Sequence, residues 1–210
     1  MISGAAALQR LREGNERFVA GIRSLDTLAS QMRRGELVAG QAPFAVILGC
    51  SDSRVPVEMV FDQGLGDLFV IRVAGNIVAR SQIGSVEFAA ERFGTRLVVV
   101  MGHTHCGAVQ ATLEELKRPA ATQSRNMRSI VDRIRPSVEG LLETELAGDP
   151  AALMRLAIRT NVRVNANTLR HGSDILEQLI EEDGLLVVGA EYSLETGAVE
   201  FFDSVPPAGG

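Results

Sequence analysis

Four short apolar runs separated by helix-length segments are what most constrains the fold this chain can adopt. Phe44–Leu48, Leu68–Val73, Leu97–Met101 and Leu185–Val188 read as strands buried on both faces. Between them the apolar period becomes helical. Ile83, Val86, Ala90 and Phe93 recur at helical spacing with Gly94 as a stop, and Val109, Leu113 and Leu116 line a second helix that Pro119 ends. Residues 120–126 read as a polar loop, and further helices are expected over Met127–Leu146 and Pro150–Arg170. Asp149-Pro150 offers the second of these an N-cap and a first-turn proline. Ile175, Leu176, Leu179 and Ile180 mark a last helix before Gly184, and Tyr192–Gly197 reads as a turn into a final strand, Ala198–Phe202.

Strands alternating with helices predict an α/β fold: a mostly parallel central sheet with helices on both faces. The short turn before the last strand adds an antiparallel edge strand. Ahead of the first run, Leu8, Leu11 and Phe18 mark one helix, and a second is expected from about Leu25 to Val38. Residues 1–40 are therefore expected as an N-terminal helical arm outside the sheet, and residues 41–205 as the α/β body of a single domain.

Composition narrows the partners. Net charge is −5, with Lys and Arg scattered rather than gathered into a stripe, which argues against nucleic acid or an anionic membrane as the main partner. The longest apolar runs are far too short to cross a bilayer, and the first ten residues lack a basic start followed by an apolar run, so a cytoplasmic location is expected. Two cysteines make no disulfide framework; in a reducing compartment they read as ligands or as small buried hydrophobes.

Their surroundings favour ligands. Cys50 follows the first predicted strand in ILGCSDSRVP, and His103, His105 and Cys106 follow the third in VVVMGHTHCGAV. Ligands of open α/β sheets sit beyond the carboxyl ends of strands where the strand order reverses. Were these two strands neighbours there, a sheet spacing of about 4.8 Å would bring both loops to one ion. Two thiolates and one imidazole form a catalytic zinc set with a fourth position left for water. Spacing alone leaves open whether His103 or His105 completes the set. Asp52 and Arg54, two residues apart beside Cys50, read as a carboxylate held ionised and oriented by a guanidinium fork.

C-S-D-S-R followed by G-H-x-x-C-G resembles the paired signature of the β-class carbonic anhydrases. The likeness continues through GQAPFAVILGCSDSRV, GDLFVIRVAGN, GSVEFAAERFG, GHTHCGAV and LLVVGAEYSLETGAV, from about Ala5 to Phe202. The resemblance implies a lyase that reversibly hydrates carbon dioxide to bicarbonate and a proton through zinc-bound hydroxide. It implies Zn2+ held by Cys50, His103 and Cys106, with Asp52 and Arg54 as the catalytic dyad. Gln41, nine residues before Cys50, matches a glutamine that hydrogen-bonds substrate, and Phe69 an apolar pocket residue. Ala74, Phe88 and Gly107 complete the implied pocket; Phe88 stands where several relatives have Tyr, and Ala74 where a bulkier Val is common. The resemblance further implies a homodimer or homotetramer with the site at the dimer interface and the arm wrapped over the partner. Ile47 occupies a position where some regulated members carry Trp, so inhibition through the bicarbonate site at that position is not expected.

Overall fold

The computed structural model describes residues 2–24, 33–118 and 124–206. Five strands form one sheet: β1 (Ala45–Gly49), β2 (Leu68–Arg72), β3 (Leu97–His103), β4 (Leu186–Tyr192) and β5 (Val199–Asp203). Their order is β2-β1-β3-β4-β5, parallel throughout except for the antiparallel β4–β5 pair. The chain moves outward from β1 to β2, then returns to the other side of β1 to build β3, so the switch point falls between β1 and β3. Leu48 pairs with Val100 and Gly49 with Met101, which sets the loops leaving these two strands side by side.

Seven α-helices are described: α1 (Gly4–Val19), α2 (Val57–Val60), α3 (Arg80–Arg92), α4 (Gly107–Lys117), α5 (Arg125–Val138), α6 (Pro150–His171) and α7 (Asp174–Glu182). Alternate residues of the central strands feed two cores. Ile47, Val99 and Met101 point to one face beneath α1 and α2; Val46, Val98 and Val100 point to the other beneath α3, α6 and α7. That alternation is the two-residue period of a strand acting on a run that is apolar at every position. A third cluster lies off the carboxyl ends of the strands, where α4, α5 and the first half of α6 bring Val109, Ile134 and Leu153 around Cys50 and Cys106. The metal-ligand candidates are thus roofed by apolar side chains.

Several elements depart from the sequence reading. Residues 4–19, expected as an arm outside the sheet, lie against it: Ala7 and Leu11 are fully buried in the first core. Asn15 ties the helix down, donating to the Val60 and Gly197 carbonyls and accepting from the Val199 N–H. An apolar stripe announces that a helix packs but not on what, and here it packs on its own sheet. Of the second expected helix, residues 25–32 lie outside the described residues, and Arg33–Ala39 is a 3-10 helix. The predicted 127–146 helix ends at Val138 and continues as two 3-10 turns, Glu139–Glu143 and Glu145–Gly148. Pro136 removes one N–H from the ladder, and Thr144 leaves the helical region to cap the next turn through its hydroxyl. β2 is only half-buried because it is an edge strand, and β4 runs on to Tyr192 because His103 and Val199 flank it with partners. The start of α6 follows the reading: the Asp149 carboxylate accepts from the Ala151 and Ala152 N–H groups, and Pro150 fills the first turn.

Candidate metal centre

β1 ends at Gly49 and hands Cys50 to the switch point; β3 ends on His103, and a tight turn through Thr104 and His105 places Cys106 at the N-cap of α4. One sulfur from each cysteine and one ring nitrogen from His103 lie within 4.8 Å of one another, and all three residues are buried. The choice that spacing left open is decided by direction. His103 is the last β3 residue and is fully buried, whereas His105 adopts a left-handed backbone (φ 55°) and stays exposed.

The donor set fits a metal. His103 Nδ1 lies 2.9 Å from the Thr104 carbonyl oxygen, a contact that makes Nδ1 the protonated nitrogen and leaves Nε2 its lone pair. Nε2 is buried and has no hydrogen-bond partner, a costly condition for a nitrogen unless it is a ligand. The two sulfurs titrate as a pair. Hydrogen bonding to the Cys106 side chain lowers the Cys50 thiol, and the same contact together with burial raises that of Cys106. Cys106 also stands at the positive end of the α4 dipole, which favours a thiolate there.

Asp52 and Arg54 stand beside this group, fully assembled. Arg54 Nε donates to Asp52 Oδ1 at 2.9 Å and Nη2 to Oδ2 at 2.7 Å, and the Arg54 backbone N–H adds a third bond at 3.0 Å. The guanidinium holds the Asp52 carboxyl far below the usual carboxylate range. Asp52 Oδ2 reaches within 3.8 Å of His103 Nε2, so the carboxylate faces the same point in space as the ligands.

Sequence reasoning missed the supports behind these residues. Arg72, at the end of β2, donates to the Cys50 carbonyl at 2.9 Å and to the Asp52 carbonyl, bracing the C-S-D segment from the neighbouring strand. The His105 carbonyl accepts from Arg54 Nη2 at 3.3 Å, which joins the β3 loop to the dyad. Glu195, on the β4–β5 turn, accepts from the Thr104 hydroxyl at 2.8 Å and lies 2.7 Å from His105 Nε2; the Thr104 bond leads in holding its pKa down to about 2. The Gly75 N–H donates to Cys50 Sγ at 3.4 Å. Gly75 has φ 73°, and a Cβ there would lie 2.6 Å from Ile134 Cδ1, so only glycine serves. The one sequence signal for these supports was Arg72, a charge within an otherwise apolar strand.

The pocket residues fall elsewhere. Ala74 is half-buried in the turn after β2, and Gly107 is exposed at the start of α4, so both border the ligand group. Gln41 is exposed and precedes the amino end of β1, the opposite end of that strand from Cys50. Phe69 pairs with Val46, three residues back from the Gly49–Arg72 pair and so roughly 10 Å down the sheet. Its ring packs with Phe88 and Phe93, and Phe88 is 52% exposed. Within one chain the fold gathers Cys50, Asp52, Arg54, His103 and Cys106, and leaves Gln41, Phe69 and Phe88 apart.

A mostly parallel sheet with three possible metal donors converging at its switch point, and an oriented carboxylate beside them, has the form of an enzyme's open metal site rather than that of a structural metal knot. A family model described as "Carbonic anhydrase" matches residues 45–199. The chain is 39% identical over 202 residues to "Carbonic anhydrase 2" of Mycobacterium tuberculosis, covering 95% of this chain and 93% of that one. It is 40% identical over 197 residues to a carbonic anhydrase of Mycolicibacterium smegmatis, covering 93% and 91%. Among solved structures, the β-carbonic anhydrase CafA of Aspergillus fumigatus superposes with a TM-score of 0.73 at 28% identity, over 96% of this chain and 91% of that chain. The chain belongs to the β-carbonic anhydrase family. It is an enzyme of that family's reaction, the reversible hydration of carbon dioxide to bicarbonate and a proton.

Proposed function

We propose that this hydration runs at a zinc ion held by Cys50, His103 and Cys106, with Asp52 and Arg54 as the catalytic dyad. The convergence of two sulfurs and one unpartnered imidazole nitrogen within 4.8 Å carries the reading. Zinc suits two thiolates and an imidazole, and three protein ligands leave one position free. When bound, zinc supplies Lewis acidity that brings a water towards ionisation near neutral pH.

The protein's own groups do the rest. Asp52, kept ionised by the Arg54 fork, accepts a hydrogen bond from the attacking oxygen and aims its lone pair at the carbon of carbon dioxide. Arg54 cannot drift, because its guanidinium also holds the His105 carbonyl. The apolar roof from α4 and α5 shields the centre from bulk water on one side.

Gln41, Phe69 and Phe88 line the substrate pocket of a second copy rather than that of their own chain. Gln41 stands beyond the amino end of β1, and the Phe88 ring is half exposed on the β2 edge of the sheet, where a partner copy could take it up. A homodimer, alone or paired into a tetramer, completes the pocket. Neither cysteine is in a disulfide, which supports a reducing compartment, and we place the enzyme in the cytoplasm.

Metal analysis of purified protein is expected to find one zinc per chain. Its removal by a chelator should abolish carbon dioxide hydration in a stopped-flow indicator assay, and zinc should restore it. Turnover that survives complete metal removal would overturn the assignment.

A further inference from the structure

α6 carries two buried asparagines where its pattern calls for apolar residues. Asn161 is fully buried and Asn165 is 5% exposed, four residues apart on the face that also buries Ile158 and Val162. Buried amides are expensive unless satisfied, and these are spent on one loop. Asn161 Nδ2 donates to the Gly75 carbonyl at 2.8 Å, and Asn165 Oδ1 accepts from the Val78 N–H at 2.7 Å. Asn165 Nδ2 in turn donates to Asn161 O at 2.8 Å and Oδ1 at 3.0 Å, which fixes the Asn161 side chain with its amide NH2 towards Gly75.

Gly75 is the residue whose N–H meets Cys50 Sγ. Its carbonyl is pinned by Asn161, its φ is left-handed, and Ile134 and Ala108 crowd the place of a Cβ. We infer that Asn161 is a positioning residue that acts through Gly75 to hold an N–H donor on the Cys50 sulfur, and so tunes how strongly that sulfur binds the metal. Two thiolates already cancel the formal charge of a dication, which weakens its pull on a fourth ligand. An N–H donor withdraws electron density from one sulfur and returns part of that pull, and it stabilises the thiolate against the thiol. The inference rests on the Cys50–His103–Cys106 metal reading.

Cobalt-substituted protein tests it, because thiolate-to-cobalt charge transfer reports the electron density on sulfur. The wild type is expected to take up one cobalt per chain and to show the charge-transfer band; a protein without that band sinks the metal reading and this inference with it. In Asn161→Leu the band should move to longer wavelength, and zinc affinity against a competing chelator should fall about 10–100-fold. Leu169→Ala, a core truncation on the same helix away from Gly75, should lower the melting temperature and leave band and affinity as in the wild type. If Asn161→Leu does not fold, Asn161→Ser replaces it, its hydroxyl being too short to reach the Gly75 carbonyl. With the wild-type band present, an unmoved band and affinity in the Asn161 variant, or equal movement in Leu169→Ala, would overturn the inference and leave the metal site standing.

Discussion

The rim between β1 and β3 and the aromatic edge beside β2 are built on opposite terms. At the rim the active side chains are held by partners in the same chain: Arg54 on Asp52, Thr104 on His103 Nδ1, Gly75 on Cys50, with Arg72 bracing the segment between them. At the edge, Phe69, Phe88 and Phe93 stack on one another with centroids 5.5–6.2 Å apart; Phe69 and Phe93 also lean on the second core, while Phe88 is left half in solvent. The proposed metal centre draws all three ligands from one chain; the substrate pocket that Gln41, Phe69 and Phe88 are proposed to form does not. On this proposal the reaction's chemistry and its substrate access fall to different parts of the sheet.

The largest effect that could break this contrast is at a ligand. Cys50→Ser should lose the metal and lower turnover by more than the roughly 100-fold typical of residues behind the ligands. Metal analysis paired with the hydration assay checks it, and a variant retaining both would move the metal centre away from the rim. Next comes Arg54→Ala, which frees Asp52 to drift and should cost about 100-fold in kcat with the metal retained. Its pH profile sharpens the point. Asp52 is held ionised by Arg54, so without the guanidinium its pKa should rise towards the ordinary 3.8. The acid limb of kcat should therefore begin at a higher pH in the variant than in the wild type.

At the edge, Phe88→Asp should leave the metal bound and the fold intact while weakening assembly by about 2 kcal/mol, roughly thirtyfold in Kd. Sedimentation across a concentration series measures the shift, and hydration activity should fall as dimers dissociate. Unchanged assembly and activity would mean that this aromatic face is ordinary surface. The smallest effect belongs to the far edge, where Arg159 grips Glu200 on β5 with two bonds of 2.8 Å. Glu200→Gln should cost under about 1 kcal/mol at pH 7 and leave turnover alone. The Arg159 hydrogen bond lowers the Glu200 pKa below its ordinary 4.5, so the pair's contribution is present above that value and is lost as pH falls through the lowered one. Urea midpoints of variant and wild type should accordingly differ at neutral pH and converge in acid.

How much of this was legible beforehand depended on whether a feature is local. The strands of the parallel sheet showed because each is a short apolar run, and Cys50, Cys106 and the pair His103 and His105 stood out because they lie in the segments that leave two such runs. The α6 cap was legible because Asp149 and Pro150 act within one turn. The break after Val138 was not, since helical periodicity persists through Leu142 while Pro136 and Thr144 redirect the backbone. Nor was the place of α1, whose stripe would suit any apolar surface.

The amino-acid order by itself determined the α/β pattern and the donor types, because strand and helix periods and the chemistry of thiol, imidazole and carboxylate are properties of neighbouring residues. Only the tertiary structure decided that β1 and β3 lie side by side, that His103 rather than His105 turns inward, and that Asn161, 86 residues from Gly75, holds the carbonyl of the residue whose N–H faces Cys50. Those outcomes depend on which surfaces meet when the sheet and its helices close on one core. Contacts between residues so distant along the chain leave no periodic trace in it.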